Sequence, residues 1–381
     1  MRILYIVKYI AQLGGLDRVL SFKMNYLAEK LAYDVFLVTF EQGDHPISFP
    51  LSPKIELSDI DVRFFTRHNY SLLKRIVLYF KMRSIFKSRL NDKVEQIKPD
   101  IIVTLTDSYT LIDLLMSFSY KAKIVVESHV ERNGTIKQND FTYNPLLFLM
   151  AKMYDNYILR SLKKCDAFVT LTNGDYQQWK GIQRKVVIPN PISLIPEQCS
   201  SLENKRVISV GRLEPQKGFD MLIAAWKEIS QKHPDWVLDI YGDGGLHDVL
   251  QNEIVKKNLS DSCTIHKATS RISEKYIESS IYAMSSIYEG FGLVLVEAMS
   301  FGIPCVSFDC PYGPSDIISN NIDGILVEPN NIDKLADGIC SLIEDRERRM
   351  EYGKRAKISV ERYSAGNIMP KWDELFRSLL K

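Results

Sequence analysis

The chain has 381 residues, of which 45% are hydrophobic and 25% are charged, and its formal net charge is +2. Such a composition is typical of a soluble globular protein, and the length is too great for one ordinary core, so we expect two domains of about 150 to 200 residues. A near-neutral net charge and the lack of a recognition motif in the sequence argue against a nucleic-acid partner.

The positive charge is concentrated in the N-terminal half. Residues 1–195 hold 27 Lys and Arg against 19 Asp and Glu, a balance of +8, whereas the rest of the chain balances to −6. The six cysteines form no Cys-x-x-C pair and show no spacing typical of zinc, so we expect free thiols in a reducing cytoplasm. The sequence therefore predicts no metal site.

The apolar start of the chain is interrupted by Lys8, which makes it too short for a signal peptide, and we expect a buried first strand instead. No stretch of the sequence approaches the roughly 18 to 20 apolar residues of a membrane span. These features predict a cytoplasmic protein.

Short apolar runs alternate with helical patterns. The predicted strands lie at residues 3–7, 34–40, 101–105, 123–127, 167–171, 206–210, 236–241 and 263–266. The predicted helices lie at residues 16–31, 219–232, 247–257 and 369–380. A polar segment at 197–205 has no periodicity and is interpreted as a linker. The alternation predicts an α/β fold of two doubly wound, Rossmann-like domains, with a ligand cleft where the carboxyl ends of strands face each other.

Two motifs follow predicted strands of the first domain. Gly14-Gly15 precedes a helix, so its backbone is able to approach an anion closely, although most such pairs are simple turns and the G-x-G-x-x-G of dinucleotide-binding proteins is absent. Glu127-Ser128-His129 stands at a strand end, where ligands bind in such folds. A lone histidine is more often a hydrogen-bonded structural residue, so both interpretations of His129 stay open.

Basic and apolar residues interleave over residues 67–98. The apolar members include Leu72, Leu73, Ile76, Val77, Tyr79, Phe80, Ile85 and Phe86, and the basic members include Lys74, Arg75, Lys81, Arg83, Lys87, Arg89 and Lys93. Such a stretch is typical of helices that lie on anionic membranes, and also of surface helices whose apolar face is in the core. Residues 146–164 are a second, weaker candidate. The two interpretations are compatible with each other.

The segment 209–218 turns from a predicted strand into a helix and carries Arg212 and Lys217 after Gly211. Two cations beside the N–H groups of a helix start stabilise the negative charge that develops on a departing diphosphate. Alone, a loop Arg and Lys are usually solvated. The segment is therefore a candidate phosphate site whose interpretation depends on the motifs near it.

A glycine-rich turn precedes an apolar helix in residues 289–306, which read E-G-F-G-L-V-L-V-E-A-M-S-F-G-I-P-C-V. The helix start after Gly290, Phe291 and Gly292 offers free N–H groups and the positive end of the helix dipole, an arrangement that binds phosphate. Glu289 and Glu297 lie eight positions apart, so both carboxylates can face one cleft. This pattern suits a ligand that carries hydroxyls and phosphates, whereas isolated glutamates would be ordinary surface residues.

Residues 289–306 resemble the signature of the retaining glycosyltransferases of family 4, which have the GT-B fold. Residues 209–218 resemble the family's G-R-L-x-x-x-K-G segment, Gly14-Gly15 its G-G-x-x-R loop, and Tyr241-Gly242-Asp243-Gly244 its G-x-G turn. Residues 310–318 resemble a G-P-x-E-I-I variant found with UDP-hexoses, although Asp316 replaces the usual glutamate. The resemblance spans nearly the whole chain but is specific only from about residue 206 to 327.

The resemblance implies roles for individual residues in transfer of a hexose from a nucleotide sugar, with UDP as the expected carrier. Arg212 and Lys217 would hold the diphosphate, Glu297 the ribose, and Glu289 the sugar hydroxyls, while His129 would approach the transferred sugar. The donor site would further include Gly14, Gly15, Gly211, Gly242, Gly290, Phe291, Gly292 and Leu293. Asp59-Ile60-Asp61 is the only Asp-x-Asp in the sequence and lies outside these motifs, so neither a metal nor a cofactor is expected.

The same resemblance implies the domain organisation and the partners. Residues 1–195 would bind the acceptor, residues 196–365 would bind the donor, and the helix in 366–381 would cross back to the first domain. The expected acceptor is a glycan or a lipid-linked saccharide, with an anionic membrane surface as a further partner. A sugar-nucleotide 2-epimerase of the same fold and an inactive binding scaffold are the two alternatives.

Overall fold

A computed structural model of the chain describes residues 1–106, 112–116, 121–129, 145–194 and 196–381. It divides into two compact units. The first comprises Met1–Leu171, Asp175–Ile188 and Met369–Lys381, and the second comprises Thr172–Gly174 and Pro189–Ile368. No helix among the described residues is both long enough and apolar enough to cross a bilayer.

The first unit is built on a seven-stranded parallel sheet with the strand order β3-β2-β1-β4-β5-β6-β7. Its strands are β1 Arg2–Val7, β2 Asp34–Thr39, β3 Glu56–Asp59, β4 Ile101–Leu105, β5 Lys123–Ser128, β6 Ala167–Thr170 and β7 Lys185–Val187. The helices are α1 Gly15–Glu29, α2 Leu72–Ile97, α3 Ile112–Leu115 and α4 Pro145–Leu162, and α5 Asn173–Gln178 begins in the second unit. The central strands are apolar runs because helices cover both faces of the sheet.

The second unit has a six-stranded parallel sheet with the order β10-β9-β8-β11-β12-β13. Its strands are β8 Arg206–Val210, β9 Val237–Tyr241, β10 Cys263–His266, β11 Ile281–Met284, β12 Cys305–Phe308 and β13 Gly324–Val327. Its helices are α6 Phe219–Lys232, α7 His247–Lys256, α8 Ile272–Ile277, α9 Leu293–Ser300, α10 Pro314–Ile317, α11 Ile332–Glu344 and α12 Arg346–Ser359. Two parallel sheets with helical connections confirm the α/β fold class expected from the sequence.

The last helix, α13 Ala365–Leu379, belongs to the first unit from Met369 onward. The Lys23 ammonium of α1 lies 3.7 Å from the centroid of the Trp372 ring. Arg184 Nη2 donates to Ser378 Oγ at 2.6 Å. The helix predicted at the C terminus therefore packs on the first unit, as the resemblance implied.

The segment interpreted as a linker, residues 197–205, has no helix and no strand before Arg206. It is nevertheless attached to the second unit, because Ser200 N–H donates to the Phe301 carbonyl at 3.0 Å and Leu202 is 3% exposed. The sequence did not predict strands β3, β7, β11, β12 and β13. Of these, β3 and β7 lie at the edges of their sheet and are only four and three residues long.

Candidate functional site

Two loops of the second unit meet because β8 and β11, the strands before them, are neighbours in the sheet. Gln216 Nε2 donates to the Tyr288 carbonyl at 2.8 Å, and Ile287 N–H donates to the Gln216 carbonyl at 2.8 Å. Ser285 Oγ donates to the Lys217 carbonyl at 2.9 Å. The loops thus form one hydrogen-bonded surface at the carboxyl edge of the sheet, the edge at which such folds bind ligands.

An ion pair joins two of the predicted site residues on this surface. Lys217 Nζ lies 2.6 Å from Glu289 Oε1, and the two side chains are only 15% and 9% exposed. The lysine stem runs close to Gly211, where an added Cβ would lie 3.1 Å from Lys217 Cδ and Cε. Lys217, predicted to bind phosphate, and Glu289, predicted to bind the sugar, are therefore held together by their opposite charges.

The turn after β9 approaches the turn after β8 so closely that only glycine fits. A Cβ on Gly242 would lie 1.8 Å from the Gly211 carbonyl oxygen. Gly211 N–H donates to the Tyr241 carbonyl at 3.0 Å, and Gly242 N–H donates to the His266 carbonyl at 2.9 Å. Gly211 and Gly242 were both predicted as donor-site glycines. They fix the backbone around the candidate phosphate site in residues 209–218.

Arg212 lies in the same turn and is exposed. In the part of the chain that the structure describes, its guanidinium makes no hydrogen bond and no ion pair. Its backbone is anchored, because Glu214 N–H donates to the Arg212 carbonyl at 2.8 Å and Leu213 N–H donates to the Asp243 carbonyl at 2.9 Å. Arg212 is a cation on a fixed backbone whose charge is available to a ligand.

The helix start after the glycine loop has the geometry that the sequence indicated. Gly292 has φ +90° and precedes α9, a left-handed conformation that favours glycine. The N–H groups of Phe291, Gly292 and Leu293 donate no hydrogen bond to any other described residue. Gly290 is half-buried beside Glu289. These N–H groups, which have no partner among the described residues, and the helix dipole give the helix start a positive potential next to the Lys217–Glu289 pair.

Glu297 lies within α9 and is 3% exposed. Its carboxylate accepts a hydrogen bond from the Tyr276 hydroxyl, with 3.2 Å between Oη and Oε2. The Tyr276 ring is fully buried and stacks on Phe301 with 5.3 Å between the ring centroids. Tyr276 orients Glu297 and was not singled out in the sequence, where it is one of 19 tyrosines and stands 21 positions from its partner.

The loop after β12 braces Glu289. Glu289 N–H donates to the Pro311 carbonyl at 2.8 Å, and Tyr312 N–H donates back to the Glu289 carbonyl at 3.0 Å. A Cβ on Gly313, which has φ +113°, would lie 1.9 Å from the Phe291 carbonyl oxygen. Asp316, which replaces the family's glutamate, accepts a hydrogen bond from Asn173 Nδ2 at 3.1 Å. The loop after β12 therefore holds the glycine-rich turn before α9 in position.

The glycine pair of the first unit is an ordinary helix start. Gly14 precedes α1 with an extended backbone, φ −119° and ψ 161°, and Arg18 N–H donates to its carbonyl at 3.2 Å. A Cβ on Gly14 would meet nothing within 4 Å, and Gly15 is exposed. The fold therefore does not exclude a side chain at Gly14, and the open space there is compatible with an anion near the backbone.

His129 follows β5 and is held by a buried charge network. Its ring Nε2 lies 2.9 Å from Glu127 Oε2, and Lys23 Nζ lies 2.6 Å from the same oxygen. Lys23 and Glu127 are 1% and 0% exposed. Burial opposes ionisation of Glu127, but the Lys23 and His129 charges outweigh it and lower the pKa of the carboxyl. The ionised Glu127 accepts the hydrogen bond from His129 and so keeps a proton on Nε2.

The Asp-x-Asp carboxylates serve the fold of the first unit. Asp59 Oδ2 accepts from Gly43 N–H at 2.9 Å, and its Oδ1 accepts from Thr39 Oγ1 at 3.2 Å. Asp61 Oδ1 lies 2.6 Å from Arg63 Nε. Both carboxylates thus contact other residues of the first unit.

A family model described as glycosyl transferases group 1 matches residues 195–359. The chain is 31% identical over 372 residues to an uncharacterised glycosyltransferase of Haemophilus influenzae, with 97% of this chain and 98% of that protein covered. It is 25% identical over 380 residues to the amylovoran biosynthesis glycosyltransferase AmsD of Erwinia amylovora, with 98% and 99% covered. A crystal structure of an S. aureus TarM mutant with fondaparinux, α-GlcNAc-glycerol and UDP matches with a TM-score of 0.77 at 17% identity, covering 99% of this chain and 100% of that one.

The structural match shows the GT-B fold, in which each of the two units carries one Rossmann-like sheet. The identity of 31% over almost the whole of both chains shows the family. The group 1 model matches the part of the chain that holds the Lys217–Glu289 pair and the glycine-loop helix start. The chain therefore belongs to the glycosyltransferases.

Proposed function

We propose that this protein is a retaining hexosyltransferase of family 4 that transfers a galactose-, N-acetylgalactosamine- or glucose-type sugar from a UDP carrier. Its acceptor would be a glycan or a lipid-linked saccharide in surface polysaccharide biosynthesis. The support from relatives is that AmsD is named for amylovoran biosynthesis and that TarM was crystallised with UDP. The reaction would need no metal, because protein cations balance the diphosphate.

The Lys217–Glu289 ion pair beside the unpartnered N–H groups of Phe291, Gly292 and Leu293 carries this proposal. When the bond between the sugar and the diphosphate breaks, negative charge develops on the leaving phosphate. Lys217 and the helix start stabilise that charge, and they do so best in a dry site with fixed donors. Arg212 adds a second cation. When the donor binds, Lys217 and Glu289, now 2.6 Å apart, would exchange each other for ligand groups. Lys217 would turn to the phosphate and Glu289 to the sugar hydroxyls.

Glu297 is assigned to the ribose hydroxyls of the donor. Its carboxylate is buried and already accepts one hydrogen bond from Tyr276, which fixes its orientation. Carboxylate oxygens accept further hydrogen bonds from a diol. Glu289 is paired with Lys217 and Glu297 is hydrogen-bonded to Tyr276, so neither glutamate is assigned as a nucleophile. Instead, the acceptor would attack the sugar from the same face as the leaving phosphate, which retains the anomeric configuration.

His129 is assigned to the transferred sugar through Nδ1. Glu127 holds Nε2, so the ring has a fixed orientation and a fixed tautomer. Lys23 keeps Glu127 ionised, and the Lys23 ammonium lies against the Trp372 ring. Lys23 and Glu127 are therefore positioning residues that act through His129.

An anionic membrane surface is the proposed site of action, at the inner face of the cytoplasmic membrane. On α2 the side chains of Ile76, Val77 and Phe80 are 49%, 68% and 64% exposed, and Lys74 and Lys81 are exposed beside them. The C-terminal part of the helix packs in the core through the buried residues Phe86, Leu90, Val94 and Ile97. One helix thus has a part that packs in the core and an exposed apolar strip with lysines beside it. The side chains of Leu72 and Leu73 lie outside the described residues.

A second exposed apolar strip lies on α4, where Leu149, Met153 and Tyr157 are 53%, 65% and 49% exposed. Asp113 of α3 links the two helices, since Arg83 Nη1 lies 3.2 Å from its Oδ1 and the Tyr157 hydroxyl donates to its Oδ2 at 2.8 Å. Exposed apolar side chains bordered by lysines match a bilayer interface with anionic head groups. These strips on α2 and α4 are called the basic-apolar patch below.

The test is incubation of the protein with a panel of nucleotide sugars and lipid-linked saccharides, read by mass spectrometry. Transfer shows as an acceptor heavier by one hexose or N-acetylhexosamine, an epimerase would convert the donor alone, and an inactive scaffold would change neither. The productive donor should also raise the melting temperature by binding the folded state. Donor isomerisation without transfer would overturn the proposal.

A further inference from the structure

Three side chains of different chemistry meet in the second unit, where α6 packs on α11. His233, Cys340 and Glu344 each place one ligand atom within 4.8 Å of the others. His233 directly follows α6, and Cys340 and Glu344 stand four residues apart on α11, one above the other on one face. His233 Nε2 lies 3.0 Å from Glu344 Oε1. An imidazole nitrogen, a thiol sulfur and a carboxylate oxygen thus converge between two helices.

This cluster lies away from the donor site. The helix α6 has 14 residues and begins just after Lys217 and Gly218. At a rise of 1.5 Å per residue its two ends are about 21 Å apart. His233 follows the far end, so the cluster has no part in the site described above. It forms a separate feature of the second unit.

The ligand set selects among metals. Mixed nitrogen, sulfur and oxygen donors suit Zn²⁺ and similar borderline divalent ions, whereas Mg²⁺ and Ca²⁺ require oxygen ligands. Burial raises the pKa of the Cys340 thiol, so a thiolate forms there when a metal replaces the proton, which makes binding dependent on pH.

Zinc binding would require the three ligand atoms, which all lie within 4.8 Å of one another, to shift. In a tetrahedral zinc site with bonds of 2.0–2.3 Å, ligand atoms are roughly 3.4–3.6 Å apart. The His233–Glu344 hydrogen bond is slightly shorter than this, because a shared proton takes less room than an ion. Glu344 is 60% exposed and able to move, while His233 and Cys340 are mostly buried and hold their places. Three protein ligands leave the fourth position for water.

We propose that His233, Cys340 and Glu344 form a binding site for one zinc ion, which joins the end of α6 to the end of α11. The metal would replace the proton that His233 and Glu344 share, and Cys340 would bind as thiolate after releasing its proton to solvent. The site is structural or regulatory in kind and takes no part in sugar transfer. It does not depend on the function proposed above.

The test uses the whole chain after chelator treatment, titrated with Co²⁺ under reducing, oxygen-free conditions. Ligation by Cys340 gives a thiolate-to-cobalt charge-transfer band that saturates at one equivalent and is bleached by Zn²⁺. Cys340→Ser should abolish the band, whereas Cys199→Ser, at a half-buried cysteine outside the cluster, should keep it. Zn²⁺ should also raise the melting temperature of the wild type.

The exposed ligand provides a variant that is not expected to affect folding. Glu344→Gln should weaken cobalt binding by about tenfold or more, since it removes an anionic ligand, and Glu347→Gln, at an exposed position three residues on, should not. His233→Gln should act like Cys340→Ser. The proposal is overturned if the wild type shows no charge-transfer band, or if the band survives undiminished in Cys340→Ser or in both His233→Gln and Glu344→Gln.

Discussion

Lys217 Nζ lies 2.6 Å from Glu289 Oε1, although the two residues are 72 positions apart in the chain. The pair forms because β8 and β11 are adjacent and the loops after them are bonded together. The ion pair holds both side chains in place with little exposure to water. The proposed donor site is therefore preorganised by contacts within the second unit.

Replacement of Lys217 by Ala should lower kcat/KM by about 100-fold or more, because it removes a contact that strengthens as charge develops on the leaving diphosphate. It also leaves the buried Glu289 carboxylate unpaired, so the variant should melt at a lower temperature. Steady-state kinetics with the productive donor measures the first effect and calorimetry the second.

A matched control for this substitution is Lys227→Ala, at an exposed lysine on α6. It should leave both the rate and the melting temperature unchanged. If Lys217→Ala turns over at the wild-type rate, the phosphate role of Lys217 is wrong, whatever its effect on stability.

Replacement of Glu297 by Gln should raise the donor KM more than it lowers kcat, since a contact with ribose exists in the ground state and in the transition state alike. Tyr276→Phe should shift KM in the same direction by a smaller factor, because it only frees the orientation of Glu297. The two substitutions should not be additive, since the residues share one hydrogen bond. A collapsed kcat with unchanged KM would place Glu297 in the chemistry instead.

Replacement of Glu127 by Gln should destabilise the fold at neutral pH by ~3–5 kcal/mol, because it leaves the Lys23 ammonium buried without a partner. The folded pKa of Glu127 is lowered from its ordinary value of 4.5. A lowered pKa means that the stabilisation is complete above about pH 4.5 and is lost as the pH falls through the folded value.

Urea unfolding of wild type and variant at a series of pH values measures this dependence. The difference in the free energy of unfolding should be constant near neutrality and shrink below about pH 4.5. The exposed carboxylate of Glu29 on α1 provides the control, and Glu29→Gln should show only a small difference throughout. A difference for Glu127→Gln that stays constant into acid would contradict the ionised pair.

The basic-apolar patch should bind liposomes that contain anionic lipid at low salt and release them at high salt. Lys152 of α4 is exposed like Lys74 and Lys81 of α2. Replacing these three lysines by Gln should keep the protein in solution, since each lysine near such a surface contributes about 1 kcal/mol. Arg83 is left in place because it bonds to Asp113. The control changes three exposed lysines of the second unit, Lys227, Lys256 and Lys334. If the two variants sedimented with the liposomes to the same extent, the basic-apolar patch would be an ordinary protein surface and not a membrane-binding one.

The sequence indicated those features whose residues lie close together in the chain. Glu289, Gly292 and Glu297 belong to one loop and helix, and Arg212 and Lys217 belong to one turn, so spacing alone placed them at a strand-to-helix connection. The α/β fold of two doubly wound domains was predicted from the alternation of apolar runs and helices. Short edge strands such as β3, with half of its residues exposed, carry no such signal.

Contacts between residues that are far apart in the sequence could not be predicted from the sequence pattern. Lys23 lies on an amphipathic helix, where a lysine normally faces solvent, and its partner Glu127 is 104 positions away. Tyr276 and Glu297 belong to different helices. His233 and Cys340 lack any metal-ligand spacing and meet only because α6 packs on α11. These pairings follow from tertiary packing, which periodicity does not determine.

The most direct test of retaining transfer from a UDP-sugar is proton NMR of the reaction as it proceeds. A UDP-hexose carries the sugar in the α configuration, so retention gives a first-formed product whose anomeric proton shows the small coupling of an α-linkage. We expect that signal to grow as free UDP appears, in wild type and in Lys227→Ala but not in Lys217→Ala. A β-linked first product, or a donor that isomerises without forming a glycosidic bond, would contradict the proposed function.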